Sequence, residues 1–257
     1  VSGDITDPGQ VAAVVEAHDI THIIHLAALQ VPACRANPVL GANVNVTGTI
    51  NVFEAARQHD LSHVALASSV AVYGPPEDYP PGLLAADAPM RPRTLYGVHK
   101  VANEGTARIY WQDHGISSTT LRPHIVYGVG RDQGMTSEPT KAMVAAVRGQ
   151  DYTIPFSGAL QFQLASDVAR QFIAAADHPL GQARAFSLGT EIVAVQTLAD
   201  KIMARVPGVT IDVTGNPLPF PSGSDASELH AAFEQIYETP LDEGIQMSLD
   251  HFKRGGE

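Results

Sequence analysis

Tyr96-Gly-Val-His-Lys100 sets a phenol and an ammonium four residues apart at the start of a helical segment. Both side chains therefore lie on one helix face, within a turn of each other. A cation beside a phenol favours the phenolate and lowers its pKa from the usual value near 10. That would make Tyr96 a proton acceptor or donor near neutral pH. Such pairs also occur on ordinary helix surfaces, so the neighbouring chain matters. Ser68-Ser69 follows directly on the apolar run His63–Ala67, at the strand edge where open α/β sheets carry their ligands. The Ser69 hydroxyl can face a cleft there and orient a reacting oxygen, or serve as a turn serine bonding its own backbone. The chemistry these types could do together is proton transfer to and from an alcohol.

Elements of two periods must hold these groups. Short β-branched runs alternate with longer segments of helical spacing through the first 125 residues, which is the pattern of βαβ units. Asp7-Pro8 opens a helix through Ala17, Asp capping free amides and Pro lacking one. Asn37-Pro38 repeats the device before a long helix, Val39–His59. Another helix spans Thr94–His114, and strands are predicted at Thr21–Leu26, His63–Ser68 and Ser117–Pro123. Parallel strands joined by helices of this length imply a doubly wound, Rossmann-type α/β sheet. Beyond Tyr127 the pattern loosens into a smaller α+β cap. There, helices are predicted at Pro139–Val147, Ser166–Ala176, Val195–Val206 and Leu241–Phe252, and a strand at Arg184–Leu188.

The 257 residues, 44% hydrophobic and 17% charged, belong to a folded chain with a sizeable core, not a disordered one. A formal charge of −11 without a basic run disfavours nucleic acid, whose phosphates would be repelled. No apolar run approaches the roughly 20 residues that span a bilayer, and the first residues lack a signal-peptide pattern. The single cysteine, Cys34, leaves no internal disulfide and favours a reducing compartment, so cytoplasm is the expectation. No metal is expected: His22 and His25, three apart on a strand, point to opposite faces. His99 is expected to be solvent-exposed, and Cys34, beside Pro32 in a loop, to be a small apolar residue and no nucleophile.

Five segments recur in one order: His25-Leu-Ala-Ala28, Asn45-Val-Thr-Gly-Thr49, Ser68-Ser69 with Val72-Tyr73-Gly74, Tyr96 with Lys100, and Leu121-Arg-Pro123 with Val126-Tyr127-Gly128. Together they resemble the extended short-chain dehydrogenase/reductase family, the sugar-nucleotide epimerase/dehydratase group. Thr239-Pro-Leu-Asp-Glu-Gly244-Ile looks like that family's closing helix start. The resemblance implies that Tyr96 is the catalytic acid/base, Lys100 its partner and a nicotinamide-ribose ligand, and Ser69 the hydroxyl that orients the reacting oxygen. It implies NAD as cofactor, with NADP not excluded. Asp4-Ile5 would read the adenine, Leu26-Ala27-Ala28 and Ser68 lie under the dinucleotide, Asn45 fix the active-site backbone, and Pro123 and His124 border the nicotinamide. Gln30, Ser69, Val70, Tyr96, His124, Ile125 and Arg131 are the substrate-side candidates. Residues 1–123 would bind dinucleotide, with 160–190 returning to that domain, while 124–159 and 191–257 form the substrate-binding cap. A homodimer through the two long helices is a further implication.

Two departures qualify the match. The family's Gly-x-x-Gly-x-x-Gly fingerprint is absent, Gly3, Gly9 and Gly41 being the only glycines before Asn45. The missing stretch would hold about 55 residues at ordinary element lengths, making the sheet N-terminally incomplete. The preferred reading is a segment lacking from this sequence, over a truncated chain or one that repairs its edge by oligomerising. As written, the chain is expected to bind dinucleotide weakly or not at all. Gly128-Val-Gly130 with Gly134 lies too late in the order to substitute. The second departure concerns the substrate. Leu160 stands where relatives carry a diphosphate-gripping arginine, Pro217–Asp225 contains no Arg or Lys, and Ile125 replaces a common asparagine. A small, uncharged or monoanionic sugar-like substrate is expected, with Arg131 as a compensating cation. Dehydratases of the family the chain resembles carry an Asp-Glu pair after the strand-end hydroxyl, where Val70-Ala71 here cannot exchange protons, so dehydration is not expected. Hydride transfer on a secondary alcohol remains, ending as epimerisation or, alternatively, as net oxidation of a non-nucleotide sugar, polyol or sugar acid. A non-catalytic relative is the remaining alternative, from a different class.

Overall fold

Local chemistry places most of the elements. The computed structural model describes residues 1–255; residues 256 and 257 of the expected cap lie outside the described residues. In chain order the main elements are α1 (Pro8–Ala17), β1 (Ile23–His25), α2 (Val31–Ala36), α3 (Pro38–Ala42), α4 (Gly48–Gln58), β2 (His63–Ala67), α5 (Leu95–His114) and β3 (Ser117–Arg122). The chain continues through β4 (Ile125–Tyr127), α6 (Glu138–Val147), β5 (Tyr152–Ile154), β6 (Ala159–Leu164), α7 (Ala165–Asp177) and β7 (Ala183–Ser187). It closes with β8 (Ile192–Ala194), α8 (Val195–Arg205), β9 (Ile211–Val213), α9 (Ser227–Ala232) and α10 (Leu241–Lys253). The Asp7 side chain accepts from Gly9 N at 2.9 Å and Gln10 N at 3.1 Å, and Asn37 accepts from Leu40 N at 3.1 Å. Gly115, left-handed at φ 70°, ends α5, as C-cap glycines do.

The main sheet is parallel, in the order β1-β2-β3-β7. Alternation along β2 explains why helices cover both faces. Val64 and Leu66 pack with Val52, Phe53 and Ala107 from α4 and α5. Ala65, pointing the other way, packs with Phe172 and Ala175 from α7. This is the doubly wound arrangement expected from the βα alternation. A second sheet, β4-β6-β8, pairs β4 with β6 in parallel and β6 with β8 antiparallel, while β5 and β9 form a parallel pair. A core around Ile125, Tyr127, Met143, Phe156 and Leu198 fills the space between these strands and α6, α8 and α10.

Three local expectations need correction. The predicted strand Thr21–Leu26 is only Ile23–His25, because β1 is an edge strand whose ladder stops at the pair His25–Leu66. The predicted helix Val39–His59 is interrupted by a π turn at Asn43–Thr47, which turns Asn45 inward where it is fully buried. Cys34 sits on α2 and not in a loop, since Pro32 occupies the first turn of a helix, where its missing N–H does no harm.

Candidate active site

The C-terminal ends of β1, β2 and β3 open onto a cleft of about 290 Å³. Leu26, Ala28, Ser68, Ser69 and Pro123 form its sheet side, and Arg131, Met135, Thr136 and Phe220 close it from the cap side. Gln30, Val70, Tyr96, Lys100, His124 and Ile125 complete the candidates that line it. Asp4, Ile5, Ala27 and Asn45 are not on its wall. Asp4 is exposed and accepts from Thr6 N at 2.9 Å, and the Ile5 carbonyl accepts from Asn51 at 3.0 Å.

Thr94 caps α5 by accepting from Gly97 N at 3.0 Å, which puts Tyr96 on the first turn and Lys100 one turn later. Lys100 is buried and its Nζ donates to Ala67 O at 2.7 Å, 5.6 Å from the centroid of the Tyr96 ring. Burial draws the Lys100 pKa down to about 8. The expected lowering of Tyr96 by Lys100 is not what the structure has. Burial pushes the phenol up, opposed by a hydrogen bond with Ser69 and by the charge of Arg131. Lys100 sits over the ring face, and the charge that opposes the rise is that of Arg131.

Gly97 makes this arrangement possible. A Cβ there would run into Ala71 O and come within 3.0 Å of Pro92 Cβ, forcing α5 away from the turn that carries Ser69. Gly97→Ala is expected to lower kcat/KM about 10- to 100-fold, the scale of a small misplacement of catalytic groups. Gly105→Ala, on the same helix with open space around it, should leave steady-state kinetics unchanged; equal effects at both sites would refute this account.

Behind the cleft, Asn45 Oδ1 accepts from Leu29 N at 2.7 Å and its Nδ2 donates to Leu29 O at 2.9 Å. It thus fixes the backbone that carries Ala28 and Gln30. His99, expected in solvent, is buried, with Nδ1 3.4 Å from Asn45 Nδ2 and 3.9 Å from Cys34 Sγ. The reason is α2, which covers that side of α5. Burial also raises the Cys34 thiol, in keeping with an unreactive packing role. His25 bonds Thr49 Oγ1 at 3.0 Å, and burial with the nearby Lys100 charge lowers its pKa to about 4.

Ser68 lines the cleft, but its hydroxyl is taken: it donates to Glu104 at 2.5 Å. Glu104 in turn receives both Arg122 Nε at 2.8 Å and Nη2 at 2.6 Å, and Arg122 Nη1 bonds Tyr73 Oη at 2.6 Å. Glu104 escaped notice in the sequence although it lies four residues beyond Lys100 on the same face. Met135, Thr136 and Phe220 were missed as well, and no sequence signal marks them. The His124 backbone N–H donates to Gln163 at 2.7 Å, and its Nε2 donates to Pro221 O at 2.8 Å. Its Nδ1 is buried without a partner. Leu160 is buried in the cap core, so that strand position offers no grip for a diphosphate. Among the described residues no helix is long and apolar enough to cross a membrane, and no cluster of His, Cys, Asp or Glu is arranged to hold a metal.

A dinucleotide's nicotinamide end fits the residues present. Lys100 has three N–H donors, one of them committed to Ala67 O, which leaves two for a vicinal diol such as a ribose. A family model described as NAD dependent epimerase/dehydratase matches residues 1–189. The chain belongs to the NAD-dependent epimerase/dehydratase family. NAD is that family's cofactor.

Relatives within and around this family agree. An uncharacterised epimerase/dehydratase of Staphylococcus haemolyticus (strain JCSC1435) is 30% identical over 155 residues, a match covering 58% of this chain and 47% of that protein. The match therefore spans about half the length of that curated relative. Among solved structures, a GalE-like L-threonine dehydrogenase from Cupriavidus necator is 28% identical with a TM-score of 0.88, covering 98% of this chain and 85% of that one. A UDP-glucose 4-epimerase of Thermus thermophilus, solved with NAD, is 25% identical with a TM-score of 0.87, covering 99% and 84%.

Proposed function

We propose that the protein moves a hydride between NAD and a secondary alcohol of a small sugar-like substrate, with Tyr96, Lys100 and Ser69 as its catalytic residues. The observation that carries this reading is their convergence on one cleft at the C-terminal ends of a parallel sheet. NAD, when bound, supplies the hydride acceptor. Tyr96 Oη takes the substrate's hydroxyl proton, and Ser69 holds the reacting oxygen beside it. Lys100, anchored by Ala67 O, holds the cofactor's ribose and keeps positive charge near the tyrosine. Pro123 and His124 would border the nicotinamide, with Leu26, Ala28 and Ser68 on the floor of the cleft beneath it. Asp4 and Ile5 would serve the adenine end and Ala27 the segment beneath the dinucleotide. Val70 and Ile125 give the substrate an apolar wall that exchanges no protons, in line with an activity other than dehydration.

Two outcomes share this site. In an epimerase the hydride returns to the other face of the ketone; in a dehydrogenase the ketone leaves. An apolar Leu160 position favours a substrate without a diphosphate, and the cleft serves either outcome. The deciding experiment incubates the protein with NAD and a panel of polyols and sugar acids and follows reduced nicotinamide by absorbance. Accumulation supports oxidation; turnover of substrate without it supports epimerisation. Conversion of none of the panel, with NAD bound, would count against catalysis at this cleft. The two-domain division at about residue 123, the homodimer and a cytoplasmic setting belong to the same proposal.

A further inference from the structure

Arg131 is a half-buried cation, and among the described residues no carboxylate pairs with it. Its Nη1 donates to Gln133 O at 2.6 Å, and its Nη2 donates to Thr136 Oγ1 at 3.0 Å and to Gln30 Oε1 at 3.4 Å. All three acceptors are neutral, and Nε is buried with no acceptor at all. Gly134, at φ 88°, allows the close approach, since a Cβ there would overlap Gln30 Oε1. A partly desolvated guanidinium is costly without a counter-charge. The rest of the cleft supplies none: among the described residues, Lys100 and Arg131 are its only charged lining groups, in a chain of net charge −11. A cleft lined by one sign of charge focuses its field on ligands of the other.

Resting on the hydride-transfer reading above, we propose that the substrate is a small hydroxy acid, its single carboxylate paired with Arg131 and its secondary hydroxyl between Ser69 and Tyr96. Arg131 comes from the loop between β4 and α6, on the cap side, opposite the sheet edge where the nicotinamide end fits. With Lys100 anchored on Ala67 O at the sheet side, a single cation on the cap side suits a carboxylate more than a diphosphate. His124 also lines the cleft, its Nε2 donating to Pro221 O and its Nδ1 buried without a partner. In the reaction the substrate C–H bond breaks with its electron pair passing to oxidised NAD, the O–H proton passes to Tyr96, and a keto acid leaves.

The test compares acids with counterparts that lack only the carboxylate: D-gluconate against D-glucitol, and L-threonine against L-threoninol. With NAD present, at least one acid is expected to be oxidised about 100-fold more efficiently than its alcohol, the scale of a desolvated charge pair. Arg131→Gln should raise KM for that acid about 100-fold while NAD affinity stays within about twofold, and Arg131→Lys should recover part, since it keeps charge but not the planar fork. Equal use of acid and alcohol, or an unmoved KM in Arg131→Gln, overturns the inference and leaves hydride transfer standing. If NAD binds and neither acid nor alcohol is turned over, hydride transfer on these substrates fails, and calorimetry decides the rest. Binding of gluconate or threonine that Arg131→Gln abolishes supports the carboxylate site; no binding, or binding that survives, overturns it.

Discussion

Tyr96→Phe is expected to lower kcat about 10³- to 10⁴-fold, the upper part of the range for losing a general acid/base, with KM little changed. The substitution removes only the hydroxyl, leaving the ring under Lys100 and the α5 turn in place. A pH profile separates this role from a structural one. Burial raises the Tyr96 pKa against the pull of Ser69 and Arg131, so the phenolate that accepts the substrate's proton grows more abundant as pH rises. Wild-type oxidation should therefore accelerate from neutral into alkaline solution. That acceleration is opposed around pH 8, where Lys100 has lost about half of its charge. In Tyr96→Phe the alkaline rise should be absent. A variant that keeps a kcat within tenfold of wild type, or the same rise, would show that another group moves the proton.

Glu104→Gln is expected to destabilise the fold by about 3–5 kcal/mol, the cost of stranding one member of a buried ion pair. Arg122 and Glu104 side chains are 6% and 7% exposed and meet in a two-pronged contact. With an amide at 104, the Arg122 guanidinium keeps at most one acceptor there and the Tyr73 hydroxyl, and its charge stays buried without a counter-charge. Equilibrium urea unfolding measures the loss directly. Replacing both residues, as Arg122→Met with Glu104→Leu, should restore most of it, because apolar pairs of similar volume often match buried ion pairs. A loss under about 1 kcal/mol, the level of exposed pairs, would mean that water reaches Arg122. The pair also connects to the cleft: Ser68 donates to Glu104, so the single variant should weaken NAD binding as well as stability.

The long-range plan was legible because it rests on strong local signals. Asp7-Pro8, Asn37-Pro38 and Thr94 mark helix starts by satisfying free amides, and β-branched runs such as His63–Ala67 alternate with them. Tyr96, Lys100 and Ser69 stood out because their types and spacing could together move a proton, and they do line one cleft. What stayed hidden depends on neighbours distant in sequence. His99 reads as a solvent residue until α2 is laid over α5. The Tyr96 pKa reads as lowered until burial is counted, and the cation whose charge opposes burial is Arg131, a loop residue 35 positions downstream. The cap strands β4, β5, β8 and β9 have three residues each, too few to show a period. Glu104 looks like an ordinary helix-surface acid, and only the β3 residue opposite it reveals a buried partner.

The π turn at Asn43–Thr47 holds one residue more than the α-helical turn it replaces. Relative to an unbroken helix, that residue rotates the N-terminal part by about 100° and advances it by about 1.5 Å. The helix can thus serve two masters in different registers: α4 keeps Val52 and Phe53 on the sheet, while Asn45 faces Leu29. A single codon lost within this turn would let the helix close perfectly and leave the sheet untouched. The grip on Leu29 would nevertheless disappear, and with it the wall that carries Gln30 toward Arg131. In this segment a more regular helix would cost the contact that holds Leu29.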